Sequence, residues 1–78
     1  MSKIKIQAFG IVAEKMGLQQ TMLSDLDDTD ALKVKLESEF PDLKLVRYAI
    51  AYNRKLIHEN IAFTGDCEIA LLPPYSGG

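Results

Sequence analysis

The sequence predicts an α+β fold, in which a mixed sheet of four to five strands packs around one main helix, with a short first helix before it. Polar and apolar residues alternate near both ends of the chain, as is typical of half-buried strands. Between these segments, apolar residues recur at every fourth position, which is typical of an amphipathic helix. A chain of 78 residues has room for one such domain.

The first third of the chain predicts two strands separated by a short helix. Residues 3–9 alternate and predict the first strand. Gly10 breaks the alternation, and residues 11–16 follow with helical spacing before Gly17, a suitable helix C-cap. Residues 20–24 alternate again and predict a second strand, paired with the first in a hairpin-like arrangement.

The main helix is predicted to begin at Thr29, which we assign as its N-cap. Leu32, Leu36 and Phe40 then form one apolar stripe, while lysines and glutamates occupy the remaining surface. Pro41 disfavours helical geometry in the residue before it, so the helix should end at Phe40.

The second half of the chain predicts three further strands. Residues 46–53 are rich in β-branched, aromatic and small residues and predict an inner strand, and residues 55–58 predict a short edge strand. Residues 59–64 form a crossing loop, and residues 67–72 predict a last strand that ends at Pro73. The pattern alone leaves the order of the strands in the sheet open.

Composition excludes several classes of protein. A net charge of −2 gives the chain no general attraction for a polyanion, so nucleic acid is not an expected partner. The longest apolar runs fall far short of the about 20 residues that span a bilayer, and no signal-peptide pattern follows Lys3 and Lys5. A single cysteine, Cys67, suits a reducing compartment. We therefore expect a cytoplasmic protein with no membrane partner.

The sequence offers little for catalysis by the chain itself. Cys67 and His58 are the only residues of their types, which is too few for a zinc site, and their spacing does not predict a catalytic pair. An acidic run begins at Asp25, but an EF-hand would need glycine where Asp30 stands and glutamate where Leu36 stands. We expect no bound metal or cofactor, a buried Cys67, and no activity of the chain alone.

The C-terminal residues PPYSGG predict a flexible tail, residues 73–78, after a folded domain of residues 1–72. Two prolines stop strand pairing, and glycines add no apolar surface to a core. Six extended residues could carry a carboxylate up to about 20 Å from the fold. Because the last two lack a Cβ, they fit a channel too narrow for side chains. A carboxylate is a poor electrophile, so it must be activated before it reacts.

The stretch GDCEIALLPPYSGG, the strand end AYN and the opening KIKIQAFG resemble the MoaD family, the small sulfur-carrier subunits of molybdopterin synthase. The resemblance extends over essentially the whole chain, and its most specific part is the PP-x-SGG ending. It implies a ubiquitin-like β-grasp fold. The related thiamin sulfur carrier also ends in a glycine pair, but the approach through two prolines and a serine is not usual there.

The resemblance also implies partners and a reaction. An adenylyltransferase of the ubiquitin-activating type (MoeB-like) would use ATP to adenylate the carboxylate of Gly78. Sulfur from a persulfide donor would then displace AMP and leave a thiocarboxylate. The large catalytic subunit of molybdopterin synthase (MoaE-like) would receive the tail and pass its sulfur to a pyranopterin precursor.

Specific residues are expected to serve these steps. Gly78 carries the sulfur, and the segment that enters the partner comprises Gly77, Ser76, Tyr75, Pro74 and Pro73. Relatives often have a smaller aliphatic residue where Tyr75 stands. A patch on one face of the sheet should bind the partner and so dock the globular body of this chain. We expect this patch to contain Phe9, Leu56 and Leu72.

The sequence is also compatible with three other functions. The chain could carry sulfur for thiamin, thio-tRNA or another route. It could be a protein modifier joined through Gly78 to a lysine amine. It could also be a β-grasp interaction module in which the glycine pair has no chemical role.

Overall fold

The computed structural model describes residues 3–73 and has, within them, five strands, two α-helices and one 3-10 helix. In chain order they are β1 (Lys3–Ala8), α1 (Gly10–Met16), β2 (Gln20–Ser24), α2 (Thr29–Glu39), the 3-10 helix (Pro41–Leu45), β3 (Ala49–Tyr52), β4 (Lys55–Ile57) and β5 (Cys67–Leu72). The types and order of the strands and α-helices confirm the sequence prediction.

The strands form one mixed sheet in the order β2-β1-β5-β3-β4. At its centre β1 and β5 run parallel, with Ile4 opposite Cys67 and Ile6 opposite Ile69. The other three pairs, β1 with β2, β3 with β5 and β3 with β4, are antiparallel. The first and last strands of the described chain therefore lie side by side.

The core lies between one face of the sheet and the helices. Every second residue of β1 and of β5 is buried, in agreement with the alternation in the sequence. Both helices and the 3-10 helix contribute residues to the same cluster, whose fully buried members are Ile4, Ile6, Val12, Leu32, Leu36, Leu43, Ile69 and Leu71. No helix among residues 3–73 is long and apolar enough to cross a membrane.

The first helix ends as the sequence predicts. Gly17 adopts a left-handed conformation (φ 76°), and its N–H donates to the carbonyl groups of Ala13 and Glu14. Glycine reaches this backbone region without the steric cost that a Cβ brings.

The N-terminus of α2 corrects one prediction, because the N-cap is Asp28 and not Thr29. The Asp28 Oδ1 accepts a hydrogen bond from the Ala31 N–H at 2.8 Å. Thr29 is the first helical residue and is buried. Its hydroxyl donates to Asn60 Oδ1 at 2.9 Å and accepts from the Ile61 N–H at 3.0 Å. Thr29 therefore joins the helix to the crossing loop, a role that local sequence does not reveal.

The connection after α2 is more regular than predicted. The last residue of the helix is Glu39, and Pro41 begins a 3-10 helix whose Leu43 is fully buried. Proline suits this position because its missing N–H would have no helical partner. The inner strand is shorter than the predicted residues 46–53 and covers Ala49–Tyr52.

A two-residue turn joins β3 to β4. Asn53 and Arg54 both have positive φ values, 48° and 71°, as a tight hairpin turn requires. The Asn53 N–H donates to the Glu68 carbonyl at 2.8 Å, and its Oδ1 accepts from the Glu68 N–H at 2.9 Å. Asparagine tolerates this conformation, and its side chain here extends the contact with β5.

Replacing Asp28 with asparagine should make folding less sensitive to acid. The Ala31 N–H and then the Asn60 side chain hold the pKa of Asp28 below its ordinary value. Such a carboxylate stabilises the fold above its unfolded pKa of about 3.9, and the contribution disappears as pH falls through the folded pKa. Asparagine also caps helices but does not titrate.

In urea unfolding at a series of pH values, the free energy of unfolding of Asp28→Asn should fall less steeply below about pH 4 than that of the original chain. A pair of parallel curves would contradict this role of Asp28. The difference at pH 7 reports the loss of the carboxylate charge at the helix N-terminus together with the loss of the Asn60 hydrogen bond.

Candidate functional site

The outer face of the sheet, which points away from the core, carries a group of apolar and small residues. We call this group the outer patch, and its members are Phe9, Ala49, Ala51, Leu56, Ala70 and Leu72. They occupy the positions that alternate with the buried residues of β3 and β5, together with neighbouring positions on β4 and just after β1. Apolar side chains on the solvent side of a sheet add little to the core and often mark an interface.

The register of the strands sets the shape of the outer patch. Ala51 lies opposite both Leu56 on β4 and Ala70 on β5, and Ala49 lies opposite Leu72. Ala51 is 7% exposed, whereas Leu56 is 52% exposed. The small Ala51 and Ala70 are therefore neighbours of the larger Leu56 and Leu72 on this face.

The three residues that the sequence assigned to docking share this face. The Phe9 N–H donates to the Leu71 carbonyl at 3.2 Å, which places Phe9 beside Leu72 at the end of the central strand pair. The Phe9 side chain is 41% exposed, and Leu56 lies across the alanines on β4. The structure therefore places all three residues on one surface, while their part in docking stays a prediction.

Charged residues border the outer patch on one side. Lys5 lies opposite Glu68 in the central strand pair, and the Arg54 Nε is 3.9 Å from the Glu68 Oε1. Both side chains of the latter pair are largely solvent-exposed, at 90% and 54%, so the pair adds little to stability. These side chains help line a groove of about 450 Å³ that reaches Phe9 and Ala70.

The chain leaves the sheet beside Phe9 and Gly10. Pro73 follows the end of β5 and is partly buried, and a Cβ built on Gly10 would lie 3.2 Å from the Pro73 Cγ. The remaining residues that the sequence assigned to the tail lie outside the described residues, and their roles stay predictions: Pro74, Tyr75, Ser76, Gly77 and Gly78.

Cys67 and His58 do not form a reactive pair in this structure. Cys67 is the first residue of β5 and is 7% exposed, which confirms the expected buried cysteine. Burial and then the charge of Asp66 raise the pKa of the Cys67 thiol, so its reactive thiolate is disfavoured. His58 follows β4 and is exposed. Among residues 3–73, no three acidic, histidine or cysteine side chains are grouped as a metal site would require.

A second cleft, of about 330 Å³, lies between the start of α2 and strands β3 and β4. The Tyr48 hydroxyl donates to the Glu37 Oε2 at 2.8 Å. Burial, followed by this bond and the Glu37 charge, raises the pKa of Tyr48. The Asn60 side chain on the same cleft is already bonded to Thr29 and Asp28. The Tyr48 and Asn60 side chains are therefore engaged in hydrogen bonds within the fold, which suits a structural role for these two residues.

Sequence reasoning did not find two features of this surface. It did not predict that Ala51 and Ala70 lie opposite each other on the outer face, although small residues at outward positions of predicted strands were a usable signal. It also treated Gly10 only as the end of a strand. Its contact with Pro73 joins residues far apart in sequence and could not be read from local pattern.

The order and direction of the strands define the fold class of this protein. A five-stranded mixed sheet with a central parallel pair, packed on one main helix, is the β-grasp fold of the ubiquitin-like proteins. The chain belongs to the ThiS family, which it matches over residues 6–78. This confirms the predicted β-grasp fold and the predicted relation to ubiquitin-like sulfur carriers. None of the curated proteins compared with the chain is significantly similar to it.

Solved structures share the fold over nearly the whole chain. Small archaeal modifier protein 1 from Methanosarcina acetivorans is 23% identical, with a TM-score of 0.83 over 100% of this chain and 98% of that chain. A Pyrococcus furiosus protein described as a molybdopterin converting factor subunit 1 is 13% identical, with a TM-score of 0.86 over 96% of this chain and 100% of that one.

A chain in the complex of subunits 1 and 2 of molybdopterin-converting factor from Helicobacter pylori 26695 is also similar. It is 24% identical, with a TM-score of 0.73 over 97% of this chain and 99% of that chain. At these identities the similarity shows the fold alone.

Cys67 should react slowly with thiol reagents in the folded protein. Its low exposure and raised pKa both reduce the amount of accessible thiolate. With a chromogenic disulfide reagent at pH 8, we expect labelling to be at least about tenfold slower in buffer than in denaturing urea. Cys67→Ser gives the unlabelled baseline, and equal rates in the two solvents would show that the thiol is accessible.

Proposed function

We propose that this chain is a sulfur carrier of molybdenum cofactor biosynthesis and acts as the small subunit of molybdopterin synthase. The observation that carries the proposal is the ThiS family match, which continues through the glycine pair to residue 78. The approach through two prolines and a serine, PPYSGG, favours the molybdopterin route over the thiamin route. The fold shared with a subunit of molybdopterin-converting factor is consistent with that choice.

The chemistry starts from the carboxylate of Gly78. An adenylyltransferase of the ubiquitin-activating type transfers AMP from ATP to this carboxylate and releases pyrophosphate, which gives the carbonyl carbon a good leaving group. The terminal sulfur of a protein persulfide attacks that carbon and AMP departs. A second thiol then reduces the resulting acyl disulfide, which leaves the thiocarboxylate on Gly78 and a disulfide on the donor side.

The chain contributes the acyl group, and its partners contribute catalysis. Cys67 is buried with a raised pKa, so it is poorly placed to act as the sulfur-bearing thiol. A glycine end carries no side chain that would keep a partner's groups from the carbonyl carbon. In the synthase, the large subunit binds the tail and directs the thiocarboxylate sulfur to a pyranopterin precursor.

The outer patch is the proposed docking surface for these partners. It combines two exposed apolar residues, Phe9 and Leu56, with the small residues Ala51 and Ala70, which lie opposite each other on β3 and β5. Well-packed apolar contacts at the centre of an interface supply most of its binding energy. Because Phe9 and Leu72 lie where the chain leaves β5, a partner on the patch is also close to the start of the tail.

A second candidate function is protein modification through Gly78. It is supported by the fold shared with small archaeal modifier protein 1 at 23% identity. The adenylate is common to both reactions, but here a lysine amine displaces AMP and an isopeptide bond forms. Substrate-linked conjugates in cell lysate, lost when Gly77 and Gly78 are deleted, would favour this function over sulfur transfer.

Incubation with ATP, the activating enzyme and a persulfide donor should add about 16 Da to the chain, the difference between sulfur and oxygen. Intact-mass and fragment-ion measurements should place the change on Gly78. A chain with one extra alanine after Gly78 is the matched control and should stay unmodified at the new end. An original chain that gains no mass under these conditions would overturn the proposal.

Leu56→Asp should weaken binding to the large subunit by at least about tenfold, because it places a charge in the apolar docking surface. Leu45→Asp is the matched control, since Leu45 is 73% exposed but lies on the 3-10 helix in the helical layer. Titration calorimetry of both variants gives the two dissociation constants. Equal losses of affinity would remove the outer patch from the interface.

A further inference from the structure

We infer that Gly10 is a positioning residue that fixes where the C-terminal tail leaves the fold, and that the absence of a side chain at Gly10 serves this purpose. The inference rests on the proposed function in one respect, which is that the tail must reach a partner's active site. It assigns a role to a residue that is distant in sequence from the reacting group.

Phe9 and Gly10 form the corner between β1 and α1, and hydrogen bonds connect this corner to two neighbouring elements. The Phe9 N–H donates to the Leu71 carbonyl at 3.2 Å, which ties the corner to β5. The Phe9 carbonyl accepts from the N–H groups of Val12 and Ala13 at 3.1 and 3.4 Å, which ties the same residue to α1. Gly10 therefore follows a residue that is bonded to both the last strand and the first helix.

The Pro73 ring packs directly on this corner. A Cβ at position 10 would lie 3.2 Å from the Pro73 Cγ and 3.6 Å from its Cβ. The first of these distances is shorter than an ordinary van der Waals contact between two carbon atoms. Gly10 also has a φ of 56°, a region that other residues enter with strain. Glycine thus allows both the backbone conformation and the close approach of the ring.

The contact between Gly10 and Pro73 restricts the path of the chain because proline is a rigid residue. The ring fixes the φ angle of Pro73, so the position of the ring and the direction of the backbone at this residue are linked. A ring seated against Gly10 sets the exit of the chain next to Phe9, whose side chain is 41% exposed on the outer patch. The distance between the docked surface and the start of the tail is then determined by the fold.

A partner that binds the outer patch must receive the end of the tail at its own reacting groups. Small errors of position are costly in such reactions, since a displacement of about 1 Å can reduce a rate by about a hundredfold. A methyl group at position 10 requires Pro73 to move by a few tenths of an ångström, which changes the point at which the chain leaves the fold. We expect this change to slow the reaction while the docking surface stays intact.

Gly17 provides a matched control for Gly10. It also has a positive φ, 76°, so alanine brings backbone strain at both positions. A Cβ on Gly17 would meet nothing within 4 Å, whereas one on Gly10 would meet Pro73. The difference between Gly10→Ala and Gly17→Ala therefore reports the contact with Pro73 rather than the cost of replacing a glycine.

The first measurement is the rate of thiocarboxylate formation on Gly78 by the activating enzyme and persulfide donor, followed by mass as a function of chain concentration. We expect kcat for Gly10→Ala to fall by at least about threefold relative to Gly17→Ala, with KM changed by less than about twofold. Equal kcat values for the two variants would overturn the inference while leaving the proposed function intact.

The second measurement is the same comparison with Pro73→Ala as background, which removes the Cγ that a methyl at position 10 would meet. The effect of Gly10→Ala should be smaller there than in the original chain, and an unchanged effect would contradict the contact. This pair also covers the case in which Gly10→Ala folds poorly, since the double variant relieves the collision.

The third measurement needs no enzyme. In nuclear magnetic resonance spectra of the full chain, we expect a nuclear Overhauser contact between the Gly10 Hα and Pro73 ring protons. The amide signals of residues 75–78 should shift in Gly10→Ala and not in Gly17→Ala. Identical tail signals in both variants would refute the positioning role even if no sulfur transfer were found, so failure of the inference and failure of the proposed function are separable.

Discussion

The parallel pairing of β1 with β5 is the interaction on which the rest of this structure depends. Strands from opposite ends of the described chain pair along Ile4 to Ala8 and Cys67 to Leu71, and their inward side chains form the middle of the core. Closing so long a loop is entropically unfavourable, and burial of apolar residues on these two strands and on α2 compensates for it. The same pairing brings Phe9 beside the end of β5.

The two faces of the sheet differ in composition, and docking is proposed for the outer face only. Its inner face is built from isoleucine and leucine that are fully buried, such as Ile6 and Ile69. Its outer face combines alanines with a few larger residues at the ends, among them Leu56 and Leu72. Alanines keep the outer face close to the backbone, and the outward alternation of a strand provides this surface without disturbing the core.

Much of this protein could be predicted from local sequence. The alternation in residues 3–9 and 67–72 follows from the two-residue period of a strand, and the buried Leu32 and Leu36 follow from the period of a helix. Gly17 predicted a helix C-cap, which the structure shows in a left-handed conformation. Local chemistry was insufficient at the start of α2, because aspartate and threonine both cap helices. In the structure Asp28 caps the helix, while the Thr29 hydroxyl bonds to Asn60 and Ile61 in the crossing loop.

The sequence by itself determined the β-grasp elements, the buried cysteine and the glycine-ended segment on which the proposed chemistry depends. Those features arise from residue type and short-range periodicity. Only the tertiary structure decided the strand order and the contact of Pro73 with Gly10. It also decided that Phe9, Leu56 and Leu72 lie on one face of the sheet. Each of these joins residues that are far apart along the chain, and their proximity depends on how strands pair and pack together, which no local pattern specifies.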